Sequence, residues 1–504
     1  MTARRILFPA LVGVAAVAFG LGLAELAAGL LAPRASPVVV VGSLLIDLAP
    51  PWAKDLAIGL FGTADKIALL VGVGIVLVLL AALAGILEAR RRMLGRLLMI
   101  AGGVFGLIAA VTREGASILD AVPAVVATFA AAVGLTMLLD RVPAEQPRAG
   151  DLSRRRFLGW AGGAAAIGAV TAFSGYALRA GARAVTAVRE TFTLPTPAVA
   201  APPVPASAEL DVPAITRLIT PNGDFYRIDT ALQVPNIDPA TWALRIHGMV
   251  ENEVTLTWDE LIALPLEESH TTLMCVSNYV GGDLIGTAKW LGYPIRHLLD
   301  RARPHRDADM VLSRSIDGFT ASSPIEALTD ERNAILAVGM NDEPLPLEHG
   351  FPVRMVVPGL YGYVSATKWV TELEVTRFSD ASAYWTVRGW SERGPIKISS
   401  RIDVPVGQIE VGEVTVAGVA WHQHTGIAKV EVAIDGGAWR EAELATAISI
   451  DTWVQWRYRW DAPPGDHTLA VRATGLDGEV QTAALADVVP DGATGHHTVS
   501  VTAR

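Results

Sequence analysis

The chain predicts three structural parts: an all-α membrane anchor of five helices within residues 1–180, an α+β domain over 214–378, and an all-β sandwich over 395–504. Three observations carry that reading. Just over half of the 504 residues are hydrophobic (51%), and apolar residues are massed in the first third. A run rich in proline and alanine, 181–213, then interrupts the pattern. Beyond residue 395 the apolar runs are short and alternating, with turn residues between them.

Five apolar stretches, 6–31, 66–87, 97–111, 118–139 and 157–178, approach the ~20 residues that cross a bilayer. Arg4 and Arg5 precede the first, Arg90, Arg91, Arg92 and Arg96 lie between the second and third, and Arg141, Arg148 and Arg154–Arg156 precede the fifth. Positively charged loops stay inside, so the N-terminus is expected in the cytoplasm. The protein is then a multi-pass cell-membrane protein with everything after residue 180 extracytoplasmic. Residues 37–62 are apolar but hold Pro50, Pro51, Lys54 and Asp55, which suits an outer-face loop or interfacial segment. Glu25 lies inside the first span with no evident partner. All ten histidines lie at or after His247, so the spans supply no bis-histidine haem site and no haem is expected.

The run Ser153-Arg-Arg-Arg-Phe-Leu158 resembles a twin-arginine export signal opening the fifth span. Such a signal implies that the following domain folds in the cytoplasm before export, as loading a cofactor there requires.

The charges divide unevenly. Residues 1–180 hold 16 Lys+Arg and 10 Asp+Glu, and residues 181–504 hold 25 and 41. A net charge of −16 on the second part excludes the basic footprint of a nucleic-acid binder. Six prolines between Pro195 and Pro213 suit a semi-rigid linker lifting a domain off the membrane. From 214 to 378, strand-like runs such as Trp242–His247 and Arg354–Val357 alternate with helical ones such as Trp258–Leu264 and Pro294–Arg301. In the last part, the runs 414–421, 427–434, 453–460 and 467–473 read as strands, and Asp435-Gly-Gly437 as a hairpin turn. That pattern suits an immunoglobulin-like sandwich without its disulfide.

Cys275 is the single cysteine. An internal disulfide, a multi-cysteine zinc site and a four-cysteine iron–sulfur cluster are therefore excluded. A buried structural thiol, a lone nucleophile and a single thiolate ligand to a metal remain open.

From Phe225 onward the chain resembles the sulfite oxidase family of molybdopterin enzymes. The residues that carry this are Phe225-Tyr226-Arg227, Cys275-Val-Ser-Asn278 followed by Trp290-Leu-Gly-Tyr-Pro, Met340-Asn-Asp-Glu-Pro-Leu-Pro346, His349-Gly-Phe-Pro-Val-Arg354, Pro358-Gly359 and Lys368-Trp369. The resemblance implies one molybdenum–molybdopterin per chain with Cys275 as the metal's thiolate ligand. It places Tyr226, Arg227, Ser315, His349, Arg354, Ser365, Thr367 and Lys368 at cofactor-binding positions, with Arg227 also facing the substrate beside Cys275 as a catalytic residue. It also implies that the last domain mediates a homodimer. Where the sulfite enzymes continue from Arg227 with Asn-His, this chain has Ile228-Asp229. Where they carry an arginine pair after the cysteine loop, it has Tyr279 and Val280. Both departures bear on the substrate and neither on the cofactor.

The expected function is oxygen-atom transfer to or from a small molecule, either sulfite oxidation or reduction of an S-oxide or N-oxide. A separate membrane or extracytoplasmic partner would carry the electrons. The alternatives are a catalytically empty cell-surface scaffold or adhesion module on the same fold, and a cysteine hydrolase with His270 or His297 as base.

Overall fold

The computed structural model describes residues 4–32, 35–50, 53, 60, 65–113, 116–140, 159, 162–163, 166–174, 188–232 and 234–504. It divides into two compact units, Met1–Ala184 with Ala231–Val234, and Val185–Thr230 with Pro235–Arg504.

The first unit holds helices α1 (Arg4–Leu31), α2 (Pro37–Leu48), α3 (Asp65–Arg90), α4 (Leu94–Val111) and α5 (Val122–Leu139). Four segments, Ile6–Leu31, Ala68–Arg90, Leu94–Val111 and Ile118–Leu139, are long and apolar enough to cross a membrane, which is compatible with membrane anchoring. Helix α2 has 12 residues, about 18 Å at 1.5 Å per residue, short of a ~30 Å hydrocarbon core. Of the expected fifth span, residues 166–174 are helical, while the 153–158 motif lies outside the described residues. Small residues let the helices meet. A Cβ on Gly13 would lie 2.0 Å from the Ala81 carbonyl oxygen, and one on Gly85 1.9 Å from that of Pro9, so α1 and α3 cross backbone to backbone. Glu25, unpaired in the sequence reading, accepts a hydrogen bond from the Ser36 hydroxyl at 2.7 Å.

The second unit opens on ten strands: β1 (Ala243–Gly248), β2 (Val254–Thr257), β3 (Glu267–Met274), β4 (Ile285–Pro294), β5 (Met310–Ser315), β6 (Thr320–Pro324), β7 (Ile335–Met340), β8 (Glu343–Pro344), β9 (Arg354–Val356) and β10 (Val370–Thr376). One sheet has the order β2-β1-β10-β5-β6. The other has β3-β4-β7-β8, with β9 also on β7. Short helices α6 (Trp258–Ile262), α7 (Ile295–Ala302), α8 (Glu326–Thr329) and α9 (Gly362–Ser365) connect them. Thr257 starts α6 with a capping box, its hydroxyl and the Glu260 carboxylate satisfying each other's backbone N–H. The domain is β-rich, with a core of Phe225, Leu273, Trp290, Ile335, Met340, Phe351 and Val356. Trp290 is fully buried, its indole N–H donating to the Thr271 carbonyl, so it is core and not cleft lining.

The remaining strands are β11 (Ser399–Val404), β12 (Gly407–Ile409), β13 (Gly412–Trp421), β14 (Ile427–Ile434), β15 (Arg440–Glu441), β16 (Glu443–Leu444), β17 (Val454–Ala462), β18 (Gly465–Gly475) and β19 (His497–Ala503). They form two sheets, β11-β13-β17-β16 and β12-β19-β18-β14-β15, sharing one core around Trp456, Val416, Val432 and Leu469. The Asp-Gly-Gly turn joins β14 to β15, with Asp435 and Gly436 both at positive φ (51° and 69°) as a tight hairpin demands.

The proline-rich stretch differs from the expected spacer. Its described part lies along the second unit: Ala198 N–H donates to Leu266 O (2.7 Å), Glu268 N–H to Val199 O (2.8 Å), and Leu210 N–H to the Gln455 side chain (2.7 Å). Extended backbone has free donors and acceptors, and the start of β3 accepts them.

Candidate active site

A cleft in the second unit gathers residues from both sheets of the first ten strands. The β3–β4 hairpin supplies Cys275, the residue after Met274. The loop it opens is closed by Cys275 N–H on Leu284 O (2.9 Å) and by Leu284 N–H on the Asn278 side-chain oxygen (2.8 Å). Cys275 is buried, and burial pushes its thiol pKa up against the opposing effect of hydrogen bonds from Ser277. From the same sheet comes Arg354, opening β9 opposite Ala337. The other sheet contributes Ser315, paired with Val370, and Lys368 just ahead of β10.

Six of the nine residues expected at the site line this cleft: Tyr226, Cys275, Ser315, His349, Arg354 and Lys368. Arg354 is 5% exposed and donates to the backbone carbonyls of His349 (3.1 Å), Met355 (3.3 Å) and Ala366 (3.5 Å). Its guanidinium also lies over the Trp290 ring at 5.1 Å. Burial lowers its pKa to about 10, which leaves it charged at neutral pH. Lys368 donates to Asp229 (2.9 Å) and to Glu348 O (3.1 Å), and burial outweighs the Asp229 carboxylate to bring its pKa down to about 8. His349 is held neutral, its pKa lowered to about 4 by burial and by the charges of Arg354 and Lys368. Its Nε2 lies 3.2 Å from Asn222 O, which places a proton on that nitrogen. Tyr226 stacks on Phe225 (5.3 Å), and burial, with Cys275 beside it, raises its phenol pKa strongly. The Ser315 hydroxyl is buried with no partner.

The other three lie elsewhere. Arg227 does not line the cleft. Its side chain is 42% exposed and its Nε donates to Asp229 (3.0 Å). Ser365 and Thr367 are fully buried and their hydroxyls serve the fold: Ser365 donates to Tyr361 O (2.9 Å), and Thr367 shares a hydrogen bond with Ser313 (2.7 Å). The one-turn helix α9 ends at Ser365, and alternate residues after it, Ala366 and Lys368, face the cleft instead.

Sequence reasoning missed the cleft's aromatic wall. Phe319, Tyr363, Trp385 and Trp390 line it, and the rings run on from one another: Phe319–Tyr384 at 5.8 Å, Tyr384–Trp385 at 5.1 Å, Trp385–Trp390 at 6.2 Å and Trp390–Tyr363 at 5.9 Å. Two of these tryptophans sit in 379–394, a stretch the sequence reading assigned to no domain. Three aromatic residues within seven positions, 384–390, were the available signal.

The donor set suits an anionic organic cofactor with a soft metal. A buried guanidinium that donates to backbone carbonyls and to no carboxylate among the described residues, a buried ammonium and an orphaned hydroxyl can grip a phosphate. The free thiol offers a ligand atom for a soft metal.

Comparison with known proteins agrees. The family model "Oxidoreductase molybdopterin binding domain" matches residues 231–385, which implies a molybdenum cofactor. The chain is 32% identical to mouse mitochondrial sulfite oxidase over 272 residues, 45% of this chain and 49% of that protein. It is 30% identical to the uncharacterized oxidoreductase YuiH of Bacillus subtilis over 157 residues, 31% of this chain and 76% of that protein. The solved structure of the sulfane dehydrogenase SoxCD from Paracoccus pantotrophus aligns with a TM-score of 0.48 at 23% identity, covering 54% of this chain and 76% of that one. The chain spans about half the length of the mouse sulfite oxidase it matches. On the coverage of YuiH, the domain match and the residues in the cleft, the chain belongs to the sulfite oxidase family of molybdopterin-dependent oxidoreductases.

Proposed function

We propose that the protein is a membrane-anchored enzyme that carries one molybdenum–molybdopterin per chain and moves an oxygen atom to or from a small organic molecule. The observation that carries this is the meeting of Cys275, Ser315, His349, Arg354 and Lys368 in one cleft. Arg354 and Lys368 would hold the pterin's phosphate, with the Ser315 hydroxyl and His349 as hydrogen-bonding partners. Cys275 would be the metal's thiolate ligand. When bound, the group supplies two-electron oxygen-atom-transfer chemistry. The chain's own contribution is to position and to exclude water. Burial keeps Cys275 protonated until a cation approaches, and His349 stays neutral so that its proton remains on Nε2.

The cleft's far wall bears on the substrate. Arg354 and Lys368 are the lysine and arginine side chains lining it, and both are given to the cofactor; Asp229 and Asp317 are also there. Sulfite, an anion at neutral pH, would face aromatic rings and the Asp317 carboxylate, with Asp229 already paired to Arg227 and Lys368. A neutral S-oxide or N-oxide with an apolar substituent fits that wall better. Arg227, turned to Asp229, supports the same choice.

The arginine distribution favours an extracytoplasmic catalytic domain, with 153–158 as a twin-arginine-type signal. Electrons would pass to or from a separate partner. The two C-terminal sheets would form an immunoglobulin-like sandwich serving a homodimer.

Molybdenum per chain, measured by elemental analysis of detergent-purified protein, tests the proposal. The expected result is about one per chain, lost in Cys275→Ser with the circular dichroism spectrum unchanged. No molybdenum from a host shown to load other molybdopterin enzymes would overturn it and favour an empty scaffold.

A further inference from the structure

We propose that His422, Asp477 and Glu479 form a site for a divalent transition-metal ion, distinct from the cleft. His422 follows β13, and the two acids lie in the turn after β18, so the three join the ends of two sheets. Their donor atoms all lie within 4.8 Å of one another. Nδ1 of His422 is 3.8 Å from Asp477 Oδ1, and Nε2 is 3.7 Å from Glu479 Oε2. Both separations are too long for a hydrogen bond. An ion takes one ring nitrogen only; on the Nδ1 side the 3.8 Å gap to Asp477 is close to the separation of two ligands that each stand about 2.0–2.2 Å from a shared ion, with Glu479 offering the third donor within 4.8 Å.

Two further observations point to an occupant. His422 is 8% exposed, yet its Nδ1 is buried without a hydrogen-bond partner and faces Asp477. A buried ring nitrogen left unpaired is destabilising, and an ion would satisfy it. Gly475 keeps the space open: a Cβ there would lie 2.5 Å from both His422 Nδ1 and Asp477 Oδ1. The turn is also held in place. Glu479 N–H donates to Asp477 Oδ1 (3.0 Å), and Gly475 N–H to Glu479 O (2.8 Å).

One imidazole with two carboxylates is a mixed N/O set, which selects Zn2+ or a neighbouring first-row ion over Ca2+ and Mg2+. The acids are half-exposed, so the ion enters from solvent and keeps water in its open positions. Its role is structural. It ties the end of β13 to the turn after β18 and steadies 422–426. His424 in that segment meets Asp451 at 3.0 Å, and Asp451 O accepts the N–H of Thr272 in β3 (3.0 Å), the strand that leads to Cys275.

The test uses tag-free holoprotein, treated with a chelator and titrated with Zn2+ alone against a chromophoric competitor. Wild type is expected to bind about one zinc per chain and to gain thermal stability on binding. Glu479→Gln, an exposed change that leaves folding intact, and His422→Ala should each weaken binding by at least about tenfold, with molybdenum content unchanged. Zinc affinity equal in wild type and Glu479→Gln, or no zinc held by wild type, would overturn the proposal.

Discussion

Lys368 and His349 are both shifted by burial, in ways that give opposite pH signatures. Lys368 has its pKa lowered to about 8. An anion placed beside it requires the protonated form, so affinity for an anionic ligand should fall as pH rises through about 8, by up to about tenfold per unit. Isothermal titration of the cofactor-free protein with inorganic phosphate at pH 7 and pH 9 checks this, and Lys368→Met should remove the dependence. His349 contributes in the acid range. Its folded pKa is about 4 against about 6.5 unfolded, so the unfolded chain takes a proton that the native one does not. Its share of stability is full above about 6.5 and is lost as pH falls toward 4. Lys368 and His349 were legible in sequence by type and order. Ser365 and Thr367 were not: which side chains of a short turn face a cleft depends on where the helix ends, and no local pattern marks α9.

At the scale of elements, Gly350 couples the two cations. It ends the turn that carries His349 with φ +115°, and a Cβ there would lie 2.9 Å from Arg354 Cβ and 3.3 Å from Lys368 Cα. Gly350→Ala therefore meets both backbone strain and a packed neighbour. It should destabilise the protein by about 1–3 kcal/mol and release molybdopterin more readily, measured by urea unfolding and by molybdenum retained after gel filtration. Elements with strong local signals were read well. The run 427–434 is β14, and the hairpin at Asp435 turns where its glycines allow. The proline-rich segment was misread because composition reports stiffness, whereas its partner edge at Glu267 and Glu268 lies some 70 residues away.

For the second unit as a whole, Arg401 joins the C-terminal sheets to the cysteine loop. It pairs with Asp403 at 2.7 Å and donates to Gly282 O and Thr216 Oγ1, each at 2.7 Å. Both charged side chains are less than a tenth exposed. Arg401→Ala leaves Asp403 buried with its main cation gone, and should lower stability by about 3 kcal/mol while loosening the loop that begins at Cys275. Chemical unfolding together with hydrogen exchange over 275–284 measures both effects. This joint was not legible in sequence, because Arg401 and Gly282 are 119 positions apart and neither belongs to a motif. The residues of the cleft were legible for the opposite reason: Cys275, His349, Arg354 and Lys368, which line it, each stand in a short run whose residue order carries a resemblance.

A chain with one sulfhydryl has a single thiol address for alkylating reagents, and here that address lines the cleft. Burial and a raised pKa slow its alkylation, so the rate of iodoacetamide adduct formation, followed by mass, reports the opening of the cleft at Cys275 with no background from other thiols to subtract.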